Sequence, residues 1–339
     1  MALKSEVKYI NEPLISVVLA TFNGEKYINE QIDSILKQSY PKFELIIVDD
    51  HSTDNTVSII EKYSNYDDRI RVYVSDINRG LVKNFERGLS YSIGDFIVLS
   101  DQDDIFHIDK LQLMIDCFKR SPNVSLVLSD LKVIDAKGLT ISESFWNYQN
   151  LKPQSGKPFK RLVFNNFSTG CAMMFRRNLL DIALPFPDDI VVHDWWLALI
   201  ASKQNSGGIE LISSKLTFYR QHDQNMIGAN PSFRVTLKLL SEFLLSPSTI
   251  SNLISTKVKD LEYHQDRLGA YLESGIWSSE ERDVIINTRK MFQEIPKDKN
   301  LSILLRLKKL PHRVVVVSRA RQIKFILFMM LITLWPCRK

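Results

Sequence analysis

The sequence predicts an α/β protein with a mostly parallel central sheet, flanked by helices and followed by a C-terminal helical extension. Short β-branched apolar runs, such as residues 15–21, alternate with amphipathic segments, such as residues 26–38. The apolar runs show no alternation of polar and apolar residues, which is typical of strands buried on both faces. The 339 residues are 45% hydrophobic and 24% charged, which is usual for globular proteins and excludes coiled-coil and wholly disordered chains.

Each predicted strand is followed by a segment with apolar residues at helical spacing, as expected for strand–helix–strand units. The predicted strands are 15–21, 43–48, 70–74, 96–99, 124–128, 169–175 and 209–219. The predicted helices among them are 26–38, about 52–63, 81–91, 108–119 and about 194–201. The regular pattern stops after Asp130, and residues 137–160 are predicted to form a loop because they are polar and contain two prolines.

From residue 231 onward the pattern is helical, with segments near 233–245, 251–272, 279–292 and 301–310. We therefore expect two domains, residues 1–230 with the sheet and residues 231–339 as the helical extension. The apolar run 325–335 is too short to span a bilayer, which takes about 20 residues. Its basic flanks predict that residues 313–339 lie at an anionic membrane surface, the alternative being a terminal helix packed on the protein or on a partner.

Charge and cysteine content limit the classes of partner. The net charge is +5, too modest to predict nucleic-acid binding over the whole surface. Residues 1–13 contain no apolar segment of the kind found in secretion signals, so we expect a cytoplasmic protein. The three cysteines, Cys117, Cys171 and Cys337, have no metal-binding spacing, which favours a reducing compartment and no structural zinc.

Acidic residues gather at the ends of two predicted strands. Asp49 and Asp50 end the second strand, and Asp101, Asp103 and Asp104 follow the fourth. Ligands of open parallel sheets bind at this edge. Five carboxylates there would repel one another and raise each other's pKa unless a cation lay among them. The Asp-x-Asp spacing of the second group suits Mn²⁺ or Mg²⁺, which also favour phosphate oxygens, although such a pair is more often a solvated turn or a helix cap.

Four motifs together indicate a family. They are Val-Val-Leu-Ala-Thr-Phe-Asn at 17–23, Val-Asp-Asp-His-Ser-Thr-Asp at 48–54, Asn-Arg-Gly at 78–80 and Ser-Asp-Gln-Asp-Asp at 100–104. In this order and spacing, the chain resembles the glycosyltransferase family 2 enzymes over residues 15–228. The resemblance implies the GT-A fold and inverting transfer from a nucleotide-diphosphate sugar.

Two further motifs suggest a subgroup within that family. His-Asp-Trp-Trp at 193–196 and Tyr-Arg-Gln-His at 219–222 resemble bacterial members that build O-antigen or capsular polysaccharide, often rhamnosyltransferases. The resemblance implies dTDP-rhamnose or a UDP-sugar as donor, a lipid-linked saccharide as acceptor, and attachment to the cytoplasmic face of the inner membrane. The Gln-x-x-Arg-Trp motif of processive synthases is absent, which favours addition of a single sugar.

The resemblance also implies residue roles. Thr21 and Asn23 would line the nucleotide pocket, and Asp49 or Asp50 would hold the base or ribose. Asp101 and Asp103 would correspond to the metal motif, with Asp103 the direct ligand. Two residues complete the implied site, Asp194 as general base and His222 as a metal or diphosphate ligand.

Four other residues have two interpretations each. Arg79 either binds the diphosphate or is solvated. Trp195 and Trp196 either face the acceptor or pack in the core, and adjacent helical residues point about 100° apart. Gly170 either allows close approach of the acceptor or is an ordinary strand glycine.

Other classes of protein share parts of this pattern. A sugar nucleotidyltransferase or a nicotinamide dehydrogenase would have a glycine-rich loop after the first strand, whereas residues 20–24 contain one glycine. A nucleotide-sugar-binding protein that had lost catalysis would lack one of the acids, and none is missing. Both the nucleotidyltransferase and the inactive binding protein remain as alternatives.

Overall fold

The computed structural model describes residues 12–225, except positions 189, 191, 204 and 224, and residues 267–293. The strands are β1 (Ile15–Thr21), β2 (Phe43–Asp49), β3 (Ile70–Val74), β4 (Phe96–Ser100), β5 (Ile105–Phe106), β6 (Leu126–Asp135), β7 (Thr140–Ser142), β8 (Met173–Arg176) and β9 (Ile209–Gln221). The helices are α1 (Ile28–Leu36), α2 (Thr56–Ser64), α3 (Leu81–Ser90), α4 (Lys110–Arg120), α5 (Phe145–Tyr148), α6 (Phe159–Phe164), α7 (Leu180–Ala183), α8 (His193–Ala201) and α9 (Ser279–Gln293).

The nine strands of the described part form one sheet in the order β3-β2-β1-β4-β8-β6-β9-β5, with β7 paired to β6. The α/β class and the flanking helices are confirmed. Parallel pairing joins β1 to β2, β2 to β3, β1 to β4 and β6 to β9, whereas the other pairs are antiparallel. The mostly parallel character therefore holds for the N-terminal half, and the C-terminal half is mixed.

The reversed strand β8 decides what lies beside the end of β4. Because β4 and β8 are antiparallel, with Ile97 opposite Phe175, the start of β8 lies at the sheet edge where β4 ends. Strand β6 is antiparallel to β8, and β9 is parallel to β6, so the end of β9 reaches the same edge. The sheet thus brings the ends of β1, β2, β4 and β9 and the start of β8 to one edge.

The central strands are buried on both faces. All seven residues of β1 and of β2 are buried, and residues of α1 and α4 pack with them in the main core. On the other face α3 approaches so closely that a Cβ added at Gly88 would lie 2.5 Å from a Val18 methyl and 3.0 Å from a Val48 methyl. Burial of these apolar runs explains why their pattern was continuous.

Two predicted boundaries were wrong. Strand β6 continues to Asp135 instead of ending near 128, because its buried Asp130 is satisfied by the Ser144 hydroxyl at 2.6 Å and the Trp146 N–H at 3.1 Å. A polar residue inside a strand therefore interrupted the pattern without ending the strand. The predicted strand 169–175 begins with a 3₁₀ turn over Gly170–Ala172, and only Met173–Arg176 is strand.

The chain divides into two compact units, one comprising Met1–Asn230 with Ala270–Val284 and the other the remaining residues. The predicted helix at 279–292 is α9, and residues 267–272 of another are helical. The predicted helices at 233–245 and 301–310 and the basic-apolar segment 313–339 lie outside the described residues. Among the described residues, no helix combines the length and the apolar character needed to cross a membrane.

We predict that Gly88→Ala lowers the free energy of unfolding by about 1–3 kcal/mol, because the added methyl overpacks the contact between α3 and the strands. Alanine has the higher intrinsic helix propensity, by about 1 kcal/mol, which offsets part of this cost. Urea denaturation measures the change. The exposed α2 substitution Ser58→Ala should stay within about 0.5 kcal/mol of wild type, and equal stability of the two variants would contradict the close packing.

Candidate functional site

The tips of β1 and β2 are joined by a buried carboxylate. Thr21 and Asp49 are opposite each other in the parallel register, and the Thr21 hydroxyl donates to Asp49 Oδ2 at 2.8 Å. The same carboxylate accepts from the Ser52 N–H at 2.8 Å and from the Ser52 hydroxyl at 2.5 Å. These bonds stabilise the turn after β2. The Asp49 side chain is fully buried and is not open to solvent.

The next acid holds the loop that precedes α3. Asp50 accepts from the backbone N–H groups of Arg79 at 2.9 Å and Gly80 at 2.8 Å. Gly80 has φ 83°, a conformation that glycine adopts at little cost. The Arg79 side chain remains exposed at this loop. The expected repulsion among all five acids is therefore wrong for Asp49 and Asp50, because hydrogen-bond donors of the chain compensate both.

Asn23 lies on the exposed loop after β1, with φ 48°. Its N–H donates to the Ser52 hydroxyl at 2.8 Å, and its Oδ1 accepts from the Thr53 N–H at 2.8 Å. These bonds connect the loop after β1 to the loop after β2. The preceding Phe22 ring is 45% exposed beside it.

The acids after β4 are different because charge there is poorly compensated. Burial and the charges of Asp103 and Asp194 together raise the pKa of Asp101 to about 7, against the opposing charge of Lys110. Burial and the charges of Asp103 and Asp101 also raise the pKa of the fully buried Asp104 well above its usual range. The structure thus brings three of the predicted acids together with the predicted base.

The residues at the end of β9 contact the acidic turn, which is residues 101–104. His222 Nε2 lies 2.8 Å from Asp103 Oδ2, and the Asn225 side-chain amide donates to the same oxygen at 3.2 Å. Arg220 donates through Nε to the Asp103 carbonyl at 2.8 Å and through its backbone N–H to Asp104 Oδ1 at 3.0 Å. These contacts place His222 against Asp103, as a shared ligand position requires.

The side chain of Arg220 is held in place beside the acidic turn. Its guanidinium is 2% exposed, pairs with Glu30 and lies 4.7 Å from the centre of the Tyr27 ring. Because a buried, paired guanidinium has few donors left, we assign Arg220 to support of the β9 end and not to phosphate binding.

The ligand atoms of Asp101, Asp104 and Cys171 lie within 4.8 Å of one another, the one such group of three or more among the described residues. The predicted metal ligands are Asp101, Asp103 and His222, so the two sets have Asp101 in common. Asp103 and His222 are not in this group of three but contact each other. Burial raises the pKa of the Cys171 thiol well above its usual range, which keeps the thiol protonated and makes it a poor ligand for a hard cation.

Asp194 is the second residue of α8, and its carboxylate is only partly satisfied. Oδ2 accepts from the Gly170 N–H at 3.0 Å, whereas Oδ1 is buried and has no hydrogen-bond partner among the residues described. Burial raises its pKa to about 6, against the opposing effect of the Trp195 and Gly170 N–H groups and the Asn166 side chain. A carboxylate with this pKa is ionised at neutral pH and accepts a proton readily.

The two tryptophans have packing roles. Both indoles are buried, and their N–H groups donate to backbone carbonyls, Trp195 to Leu162 at 2.7 Å and Trp196 to Ala183 at 2.9 Å. The predicted acceptor-side role is therefore wrong for both, because both side chains lie inside the fold and their N–H groups are bonded there. Gly170 is in the 3₁₀ turn, where its N–H orients Asp194.

Comparison with known proteins shows the family of the chain. The sequence profile described as Glycosyl transferase family 2 matches residues 16–182. The chain is 34% identical over 238 residues to dTDP-rhamnosyl transferase RfbG of Shigella flexneri, covering 66% of this chain and 78% of that protein. The chain belongs to glycosyltransferase family 2. Its reaction class is therefore glycosyl transfer, as the sequence motifs predicted.

A second curated protein and a solved structure are also similar to this family 2 protein. UDP-Glc:alpha-D-GlcNAc-diphosphoundecaprenol beta-1,3-glucosyltransferase WfgD of Escherichia coli is 27% identical over 267 residues, covering 78% of this chain and 89% of that protein. The crystal structure of Staphylococcus aureus TarS 1-349 in complex with UDP-GlcNAc has a TM-score of 0.54 at 20% identity, covering 83% of this chain and 90% of that one. The second likeness shows that the fold is of the GT-A type.

The acidic turn fits the divalent cation that family 2 enzymes typically bind. Asp104 Oδ2 is buried without a hydrogen-bond partner among the described residues, and burial and nearby negative charges raise the pKa of Asp101. A divalent cation would relieve both conditions, and carboxylate oxygens are its preferred ligands.

The sequence interpretation missed Lys110, which lies beneath this turn. It is fully buried, and its ammonium donates to the Cys171 carbonyl at 2.6 Å and the Thr217 hydroxyl at 2.8 Å. Burial lowers its pKa to about 7. No local signal could have identified it, since a lysine at the start of an amphipathic helix usually points to solvent.

We predict that Asp194→Asn makes the protein more stable at neutral pH, by about 2 kcal/mol. The pKa of Asp194 is raised to about 6 in the folded protein from an ordinary 3.8, so the folded state binds the proton more tightly than the unfolded state does. Wild type therefore loses stability as pH rises from about 4 to about 6, and the variant is spared this loss.

Urea denaturation of both proteins at pH 4, 5, 6 and 7.5 measures the difference. The advantage of the variant should be small at pH 4 and reach a plateau above pH 6. A variant that is less stable than wild type at pH 7.5 would show that the ionised carboxylate is needed to hold Gly170.

Proposed function

We propose that this protein is an inverting, metal-dependent glycosyltransferase that moves one sugar from a nucleotide-diphosphate sugar to a hydroxyl group of a surface-polysaccharide precursor. The observation that supports it best is the partly satisfied carboxylate of Asp194, which has a pKa of about 6 and is close enough to Asp101 to raise the pKa of that acid. A base and an acidic cation-binding turn on one sheet edge are what the reaction requires.

In the proposed reaction, the acceptor oxygen forms a bond to the anomeric carbon as the bond from that carbon to the diphosphate breaks. Asp194 Oδ1 takes the proton of the acceptor hydroxyl, a contribution of about 10²–10⁴-fold in rate. The Gly170 N–H, bound to Oδ2, keeps the carboxylate in position. A single displacement with one base inverts the anomeric centre.

The bound Mn²⁺ or Mg²⁺ would stabilise the negative charge that the leaving diphosphate gains. Asp103 and His222 would hold it, with Asp101 on the same turn. Their contacts support this assignment, since His222 and Asp103 are already within 2.8 Å and Arg220 fixes the backbone on both sides. Asp104 Oδ1 accepts from the Arg220 backbone N–H, and Asp104 Oδ2, which has no hydrogen-bond partner among the described residues, would be a further ligand.

The nucleotide would lie at the tips of β1 and β2. Thr21 and Asp49 are bonded to each other, so their role would be to shape the pocket, while the exposed Asn23 and Arg79 are available for direct contact. Asp50 would position Arg79 through its backbone. The names of RfbG and WfgD and the UDP-GlcNAc complex of TarS suggest dTDP-rhamnose or a UDP-sugar as donor.

The two alternatives are less well supported. An inactive binding protein does not need a buried carboxylate with an unpartnered oxygen, a feature that is costly to maintain without a reaction. A sugar nucleotidyltransferase needs a phosphate-binding glycine-rich loop after β1, and that loop here contains the side-chain-bonded Asn23.

The first experiment identifies the donor and tests the reaction. Candidate nucleotide-sugars, with and without Mn²⁺, are screened for protection against thermal unfolding, which reports binding without an acceptor. We predict a metal-dependent shift with dTDP-rhamnose or a UDP-sugar. No protection by any nucleotide-sugar would contradict the proposal.

Two variants separate binding from chemistry. Asp194→Asn should bind the donor with wild-type affinity and lose about 10²–10⁴-fold in transfer rate, because it lacks the base. Asp103→Ala should lose the effect of Mn²⁺ on donor binding. The wild-type value of kcat/KM should fall about tenfold per pH unit below pH 6, where Asp194 becomes protonated. Nucleotide affinity that is unaltered in Asp103→Ala would contradict the metal assignment.

The acceptor is proposed to be lipid-linked, and the name of WfgD supports this. Residues 313–339 would then attach the protein to the cytoplasmic face of the inner membrane through their basic and apolar residues.

We predict that the full-length protein sediments with vesicles containing anionic phosphatidylglycerol. Three charge reversals, Arg313→Glu, Arg319→Glu and Arg321→Glu, should abolish sedimentation, because each cation near such a surface contributes about 1 kcal/mol. Matched reversals at exposed positions elsewhere, Lys62→Glu, Lys119→Glu and Arg177→Glu, should not. Equal binding by the two triple variants would contradict attachment through this segment.

A further inference from the structure

Gln102 occupies the middle of the acidic turn and reaches across to the loop after β1. Its Oε1 accepts from the Phe22 N–H at 2.8 Å, and its Nε2 donates to the Phe22 carbonyl at 3.0 Å. The side-chain amide therefore pairs with both polar groups of one backbone residue, as a neighbouring strand would.

The sheet cannot make this connection itself. The ladder between β1 and β4 ends where Leu19 is opposite Ser100. Strand β4 ends there, and β1 continues to Thr21 paired with β2 alone. Among the described residues, the two Gln102 bonds are the hydrogen bonds that join residues 22–24 to residues 101–104. The direct hydrogen-bonded link between the two loops is therefore made by one side chain.

Gly24 provides the room for that side chain. A Cβ at Gly24 would lie 2.2 Å from Gln102 Oε1 and 2.6 Å from its Cδ, and the three nearest atoms all belong to Gln102. Gly24 is not among the residues with positive φ, so its backbone conformation does not demand glycine. The reason for glycine at this position is the Gln102 amide.

We propose that Gln102 is a positioning residue that sets the distance between the nucleotide loop and the cation-binding turn. The inference rests on the proposed function, in which residues 21–23 shape the nucleoside pocket and Asp101 and Asp103 face the diphosphate. One donor molecule bridges both loops, so their spacing matters for a nucleoside diphosphate and much less for a ligand that engages the first loop alone.

The test compares two classes of ligand, nucleoside diphosphates and nucleoside monophosphates, in three variants. Calorimetry measures the affinity of UDP and dTDP with Mn²⁺, and of the monophosphates UMP and dTMP, which lack the second phosphate. Gln102→Met keeps the length of the side chain and removes both hydrogen bonds. Gly24→Ala leaves Gln102 in the chain and displaces its amide from Phe22. The third variant combines the two substitutions.

Each single variant should bind the Mn²⁺ diphosphate about tenfold more weakly and the monophosphate within twofold of wild type. The double variant should be no weaker than Gln102→Met, because both changes remove the same contact. Gln112→Ala, which removes a surface hydrogen bond to Asp116 on α4, is the matched control and should bind both ligands as wild type does. Circular dichroism confirms that each variant is folded.

Three results would overturn the inference: defects that multiply in the double variant, equal losses for diphosphate and monophosphate, or wild-type affinity in Gln102→Met. If wild type itself binds neither UDP nor dTDP with Mn²⁺, the proposed function fails together with the inference. The wild-type titration therefore distinguishes failure of the function from failure of the positioning role alone.

Discussion

The proposed cation site depends on negative charge that is left uncompensated at the end of β4. Asp101 and Asp104 are close to Asp103 and Asp194, and burial removes the water that would screen them. Lys110 beneath the turn is a buried cation that opposes them, and burial lowers its own pKa to about 7. An excess of charge of this kind stabilises a bound cation, so the site is costly when empty and favourable when filled.

Acids at the same sheet edge have different roles because their donors differ. Asp49 accepts hydrogen bonds from backbone and hydroxyl groups and Asp50 from two backbone N–H groups, and these bonds shape the loops around the end of β2. The acids after β4 receive few such bonds, which leaves their oxygens available to a ligand. A hydrogen-bonded carboxylate of this kind is part of the scaffold, whereas an unpartnered one must be sought first when a binding site is assigned.

The site is held by long side chains that connect loops beyond the reach of the sheet ladder. Arg220 ties the end of β9 to the acidic turn, and Gln102 ties that turn to the loop after β1. Lys110 supports the 3₁₀ turn that carries Gly170, whose N–H orients Asp194. In the proposed reaction each of these residues acts through another residue, and such support allows a cleft built from loops to be as well ordered as the strands beneath it.

The sequence by itself determined the α/β class, the first four strands and their helices, the family and the position of the acidic turn. These follow from local patterns, namely continuous apolar runs, helical spacing and short motifs. Only the tertiary structure decided that β8 runs antiparallel, that Trp195 and Trp196 are buried, and that Gln102, Lys110 and Arg220 support the site. Such facts depend on contacts between residues about 60 to 120 positions apart, and a local pattern contains no information about which distant side chain will satisfy a given buried group.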